Sequence, residues 1–218
     1  MKAASVISIG EALIDRLGPP GGDPSFDLPI ADCFGGAPAN VACALSRLGV
    51  NVSFIGCLGN DAFGKKFKNL LVQRGILISA LQQDHLRPTR VVLVRRDSDG
   101  ERFFQGFDGD KGLGFADQAI SREQIIRDWP LVAENAQWLV AGTISLASPI
   151  SSKAFLWCIE NAYHSGIKIA LDINWRPTFW RNQVSSDMEP SIEEKNQIFL
   201  ILKNASLIKL AKEEAQWF

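Results

Sequence analysis

The chain has two histidines, and its four cysteines, at 33, 43, 57 and 158, form no Cys-x-x-Cys pair and have no histidine at ligand spacing. That excludes a zinc site and a disulfide framework, and the thiols are expected to stay reduced. No apolar run approaches the roughly 20 residues of a membrane span. The short run Val6–Ile9 reaches Glu11 with no cleavage-type region, so a cytoplasmic protein is expected. Net charge is also scarce: 23 basic against 24 acidic residues leave a formal −1, which gives no electrostatic reason for a nucleic acid or anionic membrane partner. Lys65-Lys66-x-Lys68 reads as a solvated helix face. No Gly-x-Gly-x-x-Gly follows the first strand, which argues against a dinucleotide-dependent oxidoreductase. Gly59-x-x-x-x-Gly64-Lys65 comes close to a phosphate-binding loop, but Lys66 stands where the Mg²⁺-binding hydroxyl belongs.

What is present is a 218-residue chain, 46% hydrophobic and 22% charged, with the composition of one globular domain. Its organising stretch is Gly35-Gly36-Ala37-Pro38-Ala39-Asn40. Two glycines permit a tight turn and close approach of a ligand, and Pro38 suits the first turn of a helix. Apolar residues at 37, 41, 44, 45 and 48 then mark one helical face, with Gly49 as the stop. Asn40 falls in the first turn beside the hinge. Its amide both donates and accepts, and free N–H groups are expected at the helix N-terminus, so a polyol or an anion is one reading. The other is a turn followed by a buried helix.

The rest reads as alternating strands and helices. Ser5–Ile9 is a strand delivering Asp15 near its carboxyl end, where ligands gather in open α/β sheets; Asp15 either meets hydroxyl groups or caps a turn. Residues 18–24 read as a loop and Phe26–Phe34 as a short edge segment. Asn51–Cys57 is a core strand, and Asp61 caps a helix from Ala62 to about Arg74. Thr89–Arg95 and Glu101–Gln105 form a hairpin about the turn 97–100, followed by an acidic, glycine-rich loop, 106–110. Ser121-x-x-Gln124 opens a short helix toward Trp129-Pro130. A strand Trp138–Ala141, a helix from Ser148-Pro149 to about His164 and a strand Ile167–Leu171 complete a parallel pattern covered on both sides. Alternation beyond that strand puts Asp172, Asn174 and Arg176 on one side, either as a phosphoryl-binding group or as a structural ion pair. Ser191-x-x-Glu194 caps a helix through Leu202, and Ala205–Leu210 is a final strand.

Gly35-Gly36-Ala37-Pro38-Ala39-Asn40-Val41-Ala42, with Leu45-x-x-Leu48-Gly49 and Gly56-x-x-Gly59-x-Asp61-x-Phe63-Gly64, resembles the first signature of the ribokinase/fructokinase (PfkB) carbohydrate kinases. Gly10-Glu11-Ala12-Leu13-Ile14-Asp15 is similar to the fructokinase branch, and Gly142-Thr143-Ile144-Ser145-Leu146 and Asp172-x-Asn174-x-Arg176 are similar to further family elements. The resemblance implies a three-layer α/β/α sandwich with a mostly parallel sheet and a small β lid, residues 1–218 being the N-terminal portion of the kinase domain and the lid lying at about 11–34 and 88–110. It implies ATP and Mg²⁺ as cofactors, a sugar as substrate with fructose preferred, and a homodimer formed through lid strands. It places Asp15, Gly35, Gly36, Asn40, Arg90 and Asp110 at the sugar, Asn174, Arg176 and Lys209 at the phosphate, and Glu214 at the metal. Ala211 stands where family members carry a polar residue ahead of that Glu.

The family's Gly-Ala-Gly-Asp motif, whose Asp is the general base, does not occur in these 218 residues. The expectation is an ATP-dependent fructokinase that is truncated and inactive as given, with an exposed sheet edge. The alternative is a non-catalytic member of the family that binds a sugar or a protein.

Overall fold

A computed structural model describes residues 4–181 and 184–218. Strands β1 (Val6–Ile9), β4 (Val52–Gly59), β5 (Leu81–Asp84), β8 (Trp138–Gly142), β9 (Lys168–Asp172) and β10 (Leu207–Lys209) form one sheet in the order β10-β9-β8-β1-β4-β5. Every pairing in it is parallel. All eight residues of β4 and all four of β1 are buried, as a parallel sheet covered on both faces requires.

Alternation along β1 separates two cores. Ile7 and Ile9 join Ile55, Leu139, Ile169 and Phe155 on one face; Val6 joins Val52, Phe54, Phe67 and Leu71 on the other. Helices α1 (Ala37–Arg47) and α2 (Ala62–Gln73) cover the second face. Helices α3 (Arg122–Ala133), α4 (Pro149–His164) and α6 (Ile192–Leu202) pack on the first. Short helices α5 (Pro177–Trp180) and α7 (Glu214–Trp217) follow the ends of β9 and β10.

A second sheet, ordered β3-β2-β6-β7, is built from β2 (Leu13–Pro20), β3 (Ala31–Gly35), β6 (Val91–Arg96) and β7 (Arg102–Asp108). The two layers of helices around a parallel sheet, with a small β lid, are the architecture expected.

Local expectations fail where tertiary context overrides a turn signal. Residues 18–20 belong to β2 rather than to a loop, because prolines at a strand's end give up no paired N–H, while Gly21 N–H still bonds Arg96 O. Pairing of the edge segment begins only at Ala31, leaving Phe26 and Leu28 about nine-tenths exposed. Helix α3 passes through Trp129-Pro130 to Ala133, with Pro130 on its exposed face. Extended chain ends at Asp172: Asn174 has φ 44 and Arg176 caps α5, so Asp172, Asn174 and Arg176 do not share one strand face. Strand β10 is three residues long, exposed throughout, and stands at the sheet edge.

The near phosphate loop is a structural joint. Asp61 Oδ1 accepts the Gly64 N–H at 2.7 Å and the Thr89 hydroxyl at 3.0 Å, and its Oδ2 accepts the Thr89 N–H at 2.6 Å. One carboxylate therefore caps α2 and anchors the chain entering β6. Asp61→Ala removes a cap and strands two partly buried donors, so denaturant unfolding is expected to show a loss of about 2–4 kcal/mol.

Candidate active site

The carboxyl ends of β1, β8 and β9 open under the lid into a cavity of about 350 Å³. Its core side is formed by Glu11, Gly36, Asn40, Ile144, Asn174 and Arg176, and its lid side by Leu13, Asp15, Val92, Arg102 and Phe104.

The hinge ahead of α1 is held by three contacts. Gly36 has φ 99, and a Cβ there would run into the Glu11 carbonyl, so only glycine fits. Ser8 Oγ donates to Pro38 O at 2.8 Å inside the core. Glu11 Oε1 accepts the Ala37 N–H at 3.0 Å, while the Asn40 N–H closes the first turn on Gly36 O at 2.9 Å. Of the N–H groups at this helix start, that of Ala37 is taken by Glu11, Pro38 has none, and that of Ala39 has no partner among the described residues. An internal carboxyl group thus takes one of the donors an external anion would use.

Asp15 lies on the β2 position flanking Gly35, where a Cβ on residue 35 would collide with the Asp15 carboxylate. Burial raises its pKa and Arg102 opposes the rise. From the core side, Thr143 Oγ1 donates to Ile173 O and pins the turn that carries Asn174 into the cavity. Arg176 donates one N–H to Trp175 O at 2.8 Å and otherwise faces the cavity, exposed.

Asp15, Gly36, Asn40, Asn174 and Arg176 thus meet around one space, with Gly35 beneath Asp15. The remaining site candidates lie elsewhere. Arg90 is 3% exposed and paired in two bonds, 2.9 and 3.1 Å, to Asp117, with its guanidinium 4.5–4.7 Å from the ring centres of Phe107, Phe115 and Phe179. Asp110 Oδ1 accepts the N–H groups of Gly112 and Gly114 and shapes its own loop. Lys209 pairs with Asp172 at 3.0 Å near the sheet edge. Glu214 is buried, its two oxygens accepting the N–H groups of Trp175 and Ala211 at 2.6 and 2.7 Å. Each oxygen is thus engaged by one N–H, and no cluster of three or more acidic, histidine or cysteine ligands occurs among the described residues. No step through Mg²⁺ is derived from these residues.

Sequence reading passed over Glu11 and Arg102. Glu11 is 3% exposed, its Oε2 has no hydrogen-bond partner among the described residues, and burial lifts its pKa to about 7 against the pull of backbone N–H groups. An acid immediately after a buried strand, facing a glycine hinge, was the available signal. Arg102 had none, since only the hairpin register brings it to the cavity.

Residues 3–218 match the pfkB family carbohydrate kinase description. The chain belongs to this family of carbohydrate kinases. It is 34% identical over 211 residues to "Probable fructokinase-4" of Arabidopsis thaliana, covering 96% of this chain and 60% of that protein. It is 33% identical over 180 residues to a fructokinase of Salmonella typhimurium, covering 83% of this chain and 54% of that one. Among solved structures, the fructokinase of Xylella fastidiosa with bound ATP superposes with a TM-score of 0.79 at 27% identity, over 97% of this chain and 59% of that one. The fructokinase of Vibrio cholerae O395 in its fructose, ADP and calcium ion bound form gives 0.76 at 27%, over 98% and 62%. The chain therefore spans about three fifths of the length of the kinases it matches. No described helix is long and apolar enough to cross a membrane.

Two outcomes test the site's electrostatics. Glu11 has a folded pKa raised above its unfolded value, so the native state binds the extra proton and stability is lost as pH rises from about 4.5 through about 7. The loss approaches roughly 3 kcal/mol above pH 7, and Glu11→Gln is expected to flatten the decline of Tm between pH 5 and 8. Asp117→Ala leaves the Arg90 guanidinium buried and unpaired, with an expected cost of about 3–5 kcal/mol in urea unfolding.

Proposed function

We propose that this chain is the sugar-binding part of an ATP-dependent kinase acting on fructose at its 6-hydroxyl. The observation that carries the reading is the cavity itself, in which Asp15, Gly36 and Asn40 face Asn174 and Arg176 across a space of about 350 Å³. Carboxylate and amide groups suit a polyol because they accept and donate to hydroxyls in adjacent pairs. Arg176 and Asn174, at the end of β9, suit a phosphoryl group, and ATP supplies that group when bound. The fructokinase names of the relatives and the fructose and nucleotide bound by two structural neighbours support the same substrate pair. A cytoplasmic location and a dimer through the lid, where β3 offers an edge bearing the exposed Phe34, accompany this reading.

The residues do not include the Gly-Ala-Gly-Asp base motif. Calorimetry is therefore expected to show saturable fructose binding without ATP consumption by these 218 residues. Asp15→Ala and Asn40→Ala should each weaken binding about tenfold or more while leaving Tm nearly unchanged. Turnover of ATP with fructose would show a base within the chain, and binding unaffected by either substitution would move the sugar out of this cavity. A second reading, a non-catalytic sugar binder, is favoured by Ala211, whose backbone rather than a polar side chain engages Glu214.

A further inference from the structure

Glu11 stands between the cavity and the core. Its backbone carbonyl backs Gly36, its Oε1 holds the Ala37 N–H, and its Oε2 is buried without a partner among the described residues. It borders the main cavity and, behind it, a narrow inner pocket shared with Arg90, Asp117 and Ser145. On that inner side the charges of Arg90 and Asp117 are spent on each other in a two-bond pair. On the cavity side the charged groups are Asp15, Arg102 and Arg176; none of the three forms an ion pair with Glu11. Among the described residues no cation forms an ion pair with this carboxyl group; Arg90 and Asp117 act on it only through space, in opposite directions.

We propose that Glu11 is a proton-linked positioning residue: its carboxyl group sets the Gly36–Ala37 hinge from behind and takes up a proton when a polyhydroxylated ligand fills the cavity in front of it. The ligand half of this rests on the sugar reading of the cavity. A buried carboxylate with one oxygen unpartnered is costly, and Glu11, only 3% exposed but bordering the cavity, is sustained in its charged form by the polarisable solvent standing in that cavity rather than by direct contact with it. A ligand that displaces this solvent favours the neutral acid, which still accepts the Ala37 N–H through its carbonyl oxygen and gains an O–H to donate. Protonation is thereby coupled to Asn40, whose N–H is bonded to the hinge at Gly36 O. The elevated pKa places the change near neutral pH.

Two measurements on the isotopically labelled chain decide it. In the free protein the Ala37 and Asn40 amide resonances are expected to titrate together near pH 7, and to stop doing so in Glu11→Gln. In fructose calorimetry near pH 7, the binding heat is expected to differ between phosphate and Tris buffers by the uptake of a fraction of one proton. Glu11→Gln, which keeps an oxygen on Ala37, should lose that buffer dependence and hold its affinity within about threefold, whereas Glu11→Ala should bind about tenfold more weakly. An Ala37 amide that does not titrate between about pH 5 and 9, or a buffer dependence unchanged in Glu11→Gln, overturns the proposal. If fructose gives no heat yet Ala37 titrates and Glu11→Gln abolishes this, the hinge role of Glu11 stands and the sugar reading falls.

Discussion

The cavity depends on how the chain leaves β1 and re-enters the core at α1. These two segments are 26 residues apart and are locked by short contacts: Ser8 on Pro38, the Glu11 carbonyl against Gly36, and the Glu11 carboxyl on Ala37. Between them lie the two lid strands β2 and β3, so the lid is an excursion that must return to a fixed point. A side chain at 36 would push the helix start away from β1 and take Asn40 with it. The glycine is required by a backbone approach, and ligand access is a consequence of the same geometry.

The second strand excursion is closed differently. β6 and β7 leave and return beside Asp61, which binds both α2 and Thr89, and beside Arg90, which is sandwiched by rings from β7, α5 and the segment between. A buried ion pair gives little net stability against an apolar alternative, but it fixes one arrangement because any other leaves a charge unpaired. Phe179 belongs both to this cage and to the cavity wall. Arg90 therefore acts on the cavity through packing, from a position behind its surface.

Much of this was legible in sequence. The parallel sheet followed from apolar runs such as 52–58 alternating with capped helices, and Asp61 and Ser191 capped as their spacing required. Five of the ten proposed site residues meet at the cavity wall: Gly36 on the glycine hinge, Asn40 in the first turn of α1, Asn174 and Arg176 in the left-handed turn after β9, and Asp15, expected just beyond the first strand, inside β2. Of the others, Gly35 lies beneath Asp15 and Asp110 shapes its own loop, and three are held by distant partners. Arg90, Lys209 and Glu214 each found a partner 27 to 39 residues away, and no local pattern announces that Asp117, Asp172 or the N–H of Trp175 will be there. Glu11 was overlooked for the opposite reason: an acid beside a strand looks exposed until the sheet and the hinge enclose it.

The charges in the cavity are distributed by layer. Asp15 and Arg102 belong to the lid, Asn174 and Arg176 to the end of β9, and Asn40 to α1 between them. Each layer presents both donors and acceptors, so a ligand that satisfies all of these groups must touch both. The lid is tied at its base by Asp61 and Arg90, and its ladder is irregular farther out, at Leu17/Pro20 and Leu93/Val94. Arg102 thus stands on the lid beyond that base, and Asn40 on the helix that Glu11 and Gly36 lock to β1.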